Sequence, residues 1–71
     1  MNEDSFAFTV YMIHEIANKK GKTPGQIYKA LKDCDCIDEY LVPCFDVLHT
    51  MGTEYLIDDI DQYVALRGGT L

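Results

Sequence analysis

Apolar residues recur along the chain at three- and four-residue steps, the spacing of one face of an α-helix. The pattern is interrupted at Gly21, between Asp33 and Ile37, and at Gly52, and it therefore divides the chain into four helical segments. We expect an all-α fold in which these segments form a small bundle of about four helices. The 71 residues are enough for one small domain, and we expect its ends, residues 1–4 and 67–71, to be frayed.

The first segment, from about Ser5 to Lys20, carries apolar residues over a wide arc. Asp4 or Ser5 is the predicted N-cap, and Gly21 is the predicted stop. Since the arc exceeds the usual stripe of a surface helix, this helix is either the centre of the bundle or a partner-binding helix. Two adjacent stripes make up the arc: Phe6, Val10, Ile13 and Ala17, and beside them Phe8, Met12 and Ile16. A partner-binding face would use Phe6, Val10 and Ile13.

The second segment opens with a strong helix-start signal. Thr23 is a good N-cap, Pro24 suits the first helical position, and Gln26 completes a capping-box pattern. We therefore expect a helix from Pro24 to about Asp33 on the surface of the bundle.

The third segment, Ile37 to Met51, has an apolar stripe that should face the core. Pro43 lacks a backbone donor and clashes one turn back, so it predicts a kink or a helix that properly begins near Pro43. Gly52 ends the segment. The stripe consists of Ile37, Tyr40, Leu41, Cys44, Phe45, Leu48 and Met51.

The fourth segment has two interpretations. Thr53 could cap a continuous helix from Glu54 to Leu66, which the apolar spacing favours. Alternatively, residues 54–57 could be extended, with Asp58 capping a shorter helix, because this stretch is rich in β-branched and aromatic side chains.

Charge limits the classes of partner. The net charge is −6, and the stretch from Asp33 to Leu66 holds nine acidic residues without a single Lys or Arg. Such a surface repels phosphate backbones and attracts basic partners, so nucleic-acid binding is disfavoured. The chain has no apolar run of membrane-spanning length and opens with Asn2-Glu3-Asp4 instead of a signal segment. We expect a cytoplasmic protein.

The three cysteines do not indicate a cofactor or a metal. Because their number is odd and no secretory signal precedes them, reduced thiols are expected. Cys34, Cys36, Cys44 and His49 provide four ligand types suited to zinc, but their spacing is not that of a zinc site. We therefore expect neither a metal site nor a cofactor.

The junction after Leu48 is the best candidate for a recognition site. A His, hydroxyls and carboxylates lie close together in this stretch, although caps and solvated helix faces explain many of them equally well. His49 could serve a structural role by donating to carbonyls at a helix end. No catalytic residue set emerges, and an enzyme is disfavoured. The candidate recognition residues are His49, Thr50, Gly52, Glu54, Tyr55, Asp58 and Asp59.

The same junction carries a family resemblance. The run from Leu48 to Tyr55, Leu-His-Thr-Met-Gly-Thr-Glu-Tyr, followed by Ile-Asp-Asp-Ile at residues 57–60, resembles an uncharacterised bacterial family, domain of unknown function 3791. Pro43 departs from the family pattern. The resemblance implies a short, mostly helical cytoplasmic protein. Some members lie beside genes for proteins that look like ADP-ribosyltransferases, which implies an accessory or antitoxin-like role.

Two classes of function remain at this point. The first is a non-enzymatic protein-interaction module that binds a neighbouring gene product. The alternative is a small oligomeric enzyme or ligand-binding protein that uses His49, Glu54 and Tyr55, with its pocket completed between subunits.

Overall fold

Five helical segments follow one another in the computed structural model, which describes residues 2–71. They are α1 (Glu3–Lys20), α2 (Pro24–Asp33), a π-helical segment that we call the π turn (Ile37–Leu41), α3 (Phe45–Leu48) and α4 (Thr53–Leu66). Helix covers 74% of the described residues, which contain no strand, so the predicted all-α bundle is confirmed. No helix in this range is both long enough and apolar enough to cross a membrane.

Helix α1 begins earlier than predicted and ends where predicted. The side chain of Asn2 caps it by accepting a hydrogen bond of 2.7 Å from the backbone N–H of Ser5. The prediction of Asp4 or Ser5 as the cap was wrong, because starting at Glu3 places two acids in the first turn, where the helix dipole favours them. Gly21 ends the helix with φ of 67°, a left-handed conformation that glycine adopts without strain.

Helix α2 follows its prediction closely. Thr23 and Gln26 form the reciprocal capping box, and the helix runs from Pro24 to Asp33. Its inner face buries Ile27 and Leu31, neither of which has any measurable exposure.

The third segment is not a regular helix. Asp35 has φ of 60°, a left-handed conformation that does not continue α2. The chain then forms the wider π turn, in which the backbone N–H of Val42 donates a hydrogen bond of 3.0 Å to the carbonyl of Ile37. Pro43 follows directly, so the predicted interruption there is confirmed. In a regular α-helix the ring of Pro43 would clash with the carbonyl of Glu39, which instead lies within the wider π turn.

Helix α4 is continuous from Thr53 to Leu66, so the extended alternative for residues 54–57 was wrong. Thr53 as its cap was also wrong, because Gly52 occupies the N-cap position and Thr53 is the first helical residue. The hydroxyl of Thr53 shares a hydrogen bond of 2.9 Å with the phenol of Tyr11 instead. Helix α4 therefore starts against α1.

The hydrophobic core draws on all five segments. Met51 is absent from it at 39% exposure, contrary to the prediction, because the chain turns after Leu48 and takes Met51 off the apolar stripe. Of the ends for which we expect fraying, residue 1 lies outside the described residues, Glu3 and Asp4 are helical, and the side chain of Leu71 is buried. The largest fully buried side chains are Met12, Ile16, Ile27, Leu31, Leu41, Leu56, Ile60 and Val64.

Candidate functional site: an apolar groove beside α1

The predicted partner-binding face of α1 is divided between the core and the surface. Ile13 is buried, with 8% exposure, and packs within the core. Phe6 is 59% exposed and Val10 is 37% exposed, although both lie on the same stripe. The C-terminal half of α1 is therefore the centre of the bundle, and its N-terminal half carries apolar side chains at the surface.

Phe6 and Val10 line a surface cavity of about 320 Å³, which we call the groove. Its walls come from α1, from the exposed side of α2 and from the start of the π turn. Tyr28 of α2, 46% exposed, gives the groove a second aromatic side chain. The groove is lined by Phe6, Thr9, Val10, Ile13, Tyr28, Lys32, Asp35, Ile37 and Asp38.

Three charged residues line the groove, and none of them belongs to the three ion pairs of the described residues. The ammonium of Lys32 lies 5.7 Å from the ring centroid of Tyr28, on the α2 wall. Asp35 and Asp38 are exposed where α2 gives way to the π turn. The groove thus combines an apolar lining with two carboxylates that have no cationic partner.

The side of α1 that faces α4 is closed by polar contacts. Lys19 forms an ion pair with Glu54, and Lys20 pairs with Asp61 at 2.7 Å. The hydrogen bond to Glu54, together with its charge, raises the pKa of Lys19 above its usual value. A shallow cleft of about 270 Å³ remains along this side, and Glu54 is among the residues that line it.

His49 and Thr50 of the predicted recognition site bond to their own helix. His49 Nδ1 donates to the carbonyl of Phe45 at 2.8 Å, and the imidazole stacks on the Phe45 ring at 4.6 Å. Thr50 Oγ1 donates to the carbonyl of Val47 at 2.7 Å. The backbone N–H groups of His49 and Thr50 already bond to the same two carbonyls, so the side chains add second hydrogen bonds at the end of α3. This arrangement matches the structural role anticipated for His49.

The other predicted recognition residues face in different directions. Glu54 reaches α1, whereas Asp59 accepts a hydrogen bond from the phenol of Tyr40 in the π turn. Tyr55 and Asp58 are exposed, and Gly52 caps α4. Of the three clefts described for this chain, none is lined by His49 or Tyr55. Glu54 lines the cleft between α1 and α4 and shares none of these three clefts with His49 or Tyr55.

An aromatic cluster that sequence reasoning missed joins the π turn to α4. The rings of Tyr40 and Tyr63 stack at 5.1 Å, and the guanidinium of Arg67 lies 3.5 Å from the Tyr63 centroid. Burial, and then the hydrogen bond to Asp59, raise the pKa of Tyr40 well above its usual value. The only signal in the sequence was the presence of Tyr40 on a predicted apolar stripe, and nothing there indicated its partners.

The three thiols lie in the region where α2 meets the π turn and α3. Cys36 is fully buried, and that burial raises the pKa of its thiol to about 12. Cys34 is half-buried and lines a cleft of about 380 Å³ between α2 and residues 67–70. Within residues 2–71, no three His, Cys, Asp or Glu side chains are arranged to hold a metal ion.

These features define a small all-α protein whose most distinctive surface is an apolar groove flanked by unpaired charges. The chain belongs to the family described as "Protein of unknown function (DUF3791)", whose model matches residues 7–67. The resemblance inferred from the junction is thereby confirmed. No curated protein and no solved structure matches the chain.

Proposed function

We propose that this protein is a non-enzymatic protein-interaction module and that the groove is its binding surface. The observation that carries the proposal is the exposure of Phe6, at 59%, beside an apolar groove built by three separate segments. Exposed aromatic and aliphatic side chains at a concave site are the usual anchors of protein interfaces.

The proposed partner is the product of a neighbouring gene, including the ADP-ribosyltransferase-like proteins that the family resemblance implies, and the setting is the cytoplasm. The acidic character of the chain supports such a role, because a net charge of −6 accelerates encounter with basic surfaces. An enzymatic role based on His49, Glu54 and Tyr55 has less support, since His49 bonds to the carbonyl of its own helix.

The test is co-expression of the chain with the products of adjacent genes, followed by size-exclusion chromatography of the complex. Val10→Glu places a charge inside the groove and should abolish co-elution. Val47→Glu is the matched control, because Val47 is 60% exposed on α3 and does not line the groove. Circular dichroism of both variants verifies that they are folded.

A complex that survives Val10→Glu as well as it survives Val47→Glu would overturn the groove as the binding surface. If such a complex were instead lost on charge reversal at Asp58 and Asp59, the acidic junction would be the interface. Self-association that is lost with Val10→Glu would show that the groove serves an oligomer.

A further inference from the structure

The groove presents helical walls, and this restricts how a partner can bind. The backbone hydrogen bonds of its walls are made internally, as in the π turn, where Val42 N donates to Ile37. The described residues include no strand edge onto which an extended peptide could add. A partner must therefore insert side chains between the walls, which is how an amphipathic helix occupies a groove.

The charges of the groove indicate the chemistry of that helix. Asp35 and Asp38 line the groove without a cationic partner. Elsewhere, Asp33, Glu54 and Asp61 pair with lysines. The carboxylates beside the apolar lining are thus free to pair with a cation supplied by the partner.

We propose that the groove binds an amphipathic helix of a partner protein in which Lys or Arg side chains flank the apolar anchors. This inference rests on the proposed function and adds the kind of segment that binds. The apolar anchors pack against Phe6, Val10 and Tyr28, and the flanking cations meet Asp35 and Asp38.

Lys32 should affect the binding of a cationic helix in the opposite direction to Asp35 and Asp38. It is the single basic residue among those that line the groove, and its ammonium lies on the Tyr28 wall. A cationic helix in the groove is repelled by Lys32 and attracted by Asp35 and Asp38. Removing Lys32 must therefore strengthen binding, while removing the two carboxylates must weaken it.

Two synthetic peptides of about five helical turns test this inference. They share one apolar face and differ only in carrying Lys or Glu at the positions that flank it. Each is titrated into the ¹⁵N-labelled full chain, and the amide shifts of residues 6–13 and 28–38 report binding. The Lys peptide should bind at the groove at least about tenfold more tightly than the Glu peptide, and added salt should reduce its affinity.

Matched variants separate local charge from net charge. Asp35→Asn with Asp38→Asn should weaken binding of the Lys peptide by about tenfold, as expected for two solvent-exposed pairs. Asn is suited to position 35 because it tolerates positive φ. Glu15→Gln with Asp46→Asn removes two charges at residues that do not line the groove and form no ion pair, and it should change affinity by less than about twofold. Lys32→Gln should increase the affinity.

Equal or tighter binding of the Glu peptide would overturn the basic-helix inference while leaving the groove as a binding surface. So would an equal loss in the two double variants, because it would show that only net charge matters. Failure of both peptides to shift the groove residues would also overturn it. The proposed function would then be judged separately, by the loss or survival of the co-expressed complex with Val10→Glu.

Discussion

The two sides of α1 differ in how their exposed side chains are partnered. Towards α4, Tyr11, Lys19 and Lys20 each meet a polar partner across the helix pair, and we call this the closed side. Towards α2 and the π turn, Phe6 and Val10 remain exposed beside unpaired charges, and we call this the open side. The difference shows that one helix can complete the core along one side and still offer an apolar surface along the other.

We expect the largest change in the free energy of unfolding from a substitution in the core, behind the closed side. Ile60 of α4 has no measurable exposure, so Ile60→Ala should lower the free energy of unfolding by about 2–5 kcal/mol through lost burial and a residual cavity. Urea denaturation followed by circular dichroism measures the loss. A change below about 1 kcal/mol would mean that α4 packs less closely than described.

Alkaline pH should destabilise the fold through Cys36. Since its folded pKa of about 12 lies above the ordinary 9.0, the unfolded state releases its proton first. The contribution of the neutral buried thiol is complete below pH 9 and declines as the pH rises towards 12, by about 1.4 kcal/mol per pH unit. The raised pKa of Tyr40 acts in the same direction at higher pH.

Urea denaturation of the wild type and of Cys36→Ala between pH 8 and 10.5 measures this effect. The variant is less stable at pH 8 because it leaves a cavity, and its deficit should shrink as the pH rises. A constant deficit across this range would contradict the burial of the thiol.

The ion pairs of the closed side should contribute less to the free energy of unfolding than the core side chains do. Lys20→Met removes the pair with Asp61, which is partly exposed, and should cost about 0.5–1 kcal/mol at low ionic strength. Lys22→Met is the matched control, since Lys22 is exposed and takes part in none of the ion pairs. Equal effects of the two variants would show that the Lys20–Asp61 pair adds no stability. A loss unchanged in high salt would show that it comes from side-chain packing and not from the attraction of the two charges.

We expect the smallest change in the free energy of unfolding from a substitution on the open side. Phe6→Ser should change the free energy of unfolding by less than about 0.5 kcal/mol, because more than half of the side chain is already in water. Thermal denaturation measures the change. A loss approaching that of Ile60→Ala would mean that Phe6 belongs to the core, and the open side would lose its main support as a binding surface.

Local signals in the sequence predicted the parts of the fold that depend on neighbouring residues. The capping box at Thr23 and the stop at Gly21 need only a few adjacent side chains and a permitted φ, and both are confirmed. The π turn was not predicted, because it depends on Asp35 turning the chain and on Tyr40 meeting α4. Those contacts join residues distant in sequence.

Only part of the candidate site was predicted, because the rest of it also depends on contacts between residues that are distant in sequence. Periodicity identified Phe6 and Val10 as members of one stripe with Ile13, but it could not tell which end of the stripe is buried in the fold. Tyr28 and the charges of the groove were missed because they come from segments that only the tertiary fold brings together. His49 was proposed both as a helix-end donor and as a recognition residue, and its hydrogen bond to Phe45 matches the first role.

The number of residues in the π turn also determines the direction in which the side chains at its end point. A π-helical turn holds about one residue more than an α-helical turn, so deletion of one residue within 37–41 would let the segment close as an α-helix. Each residue of an α-helix advances the side-chain direction by about 100°, so the residues that follow the deletion within this segment would be rotated by about that amount. Leu41, which is fully buried at the end of the π turn, would then point away from the core. Deletion of an exposed residue such as Asp38 or Glu39 would thus disturb core packing without removing any buried side chain.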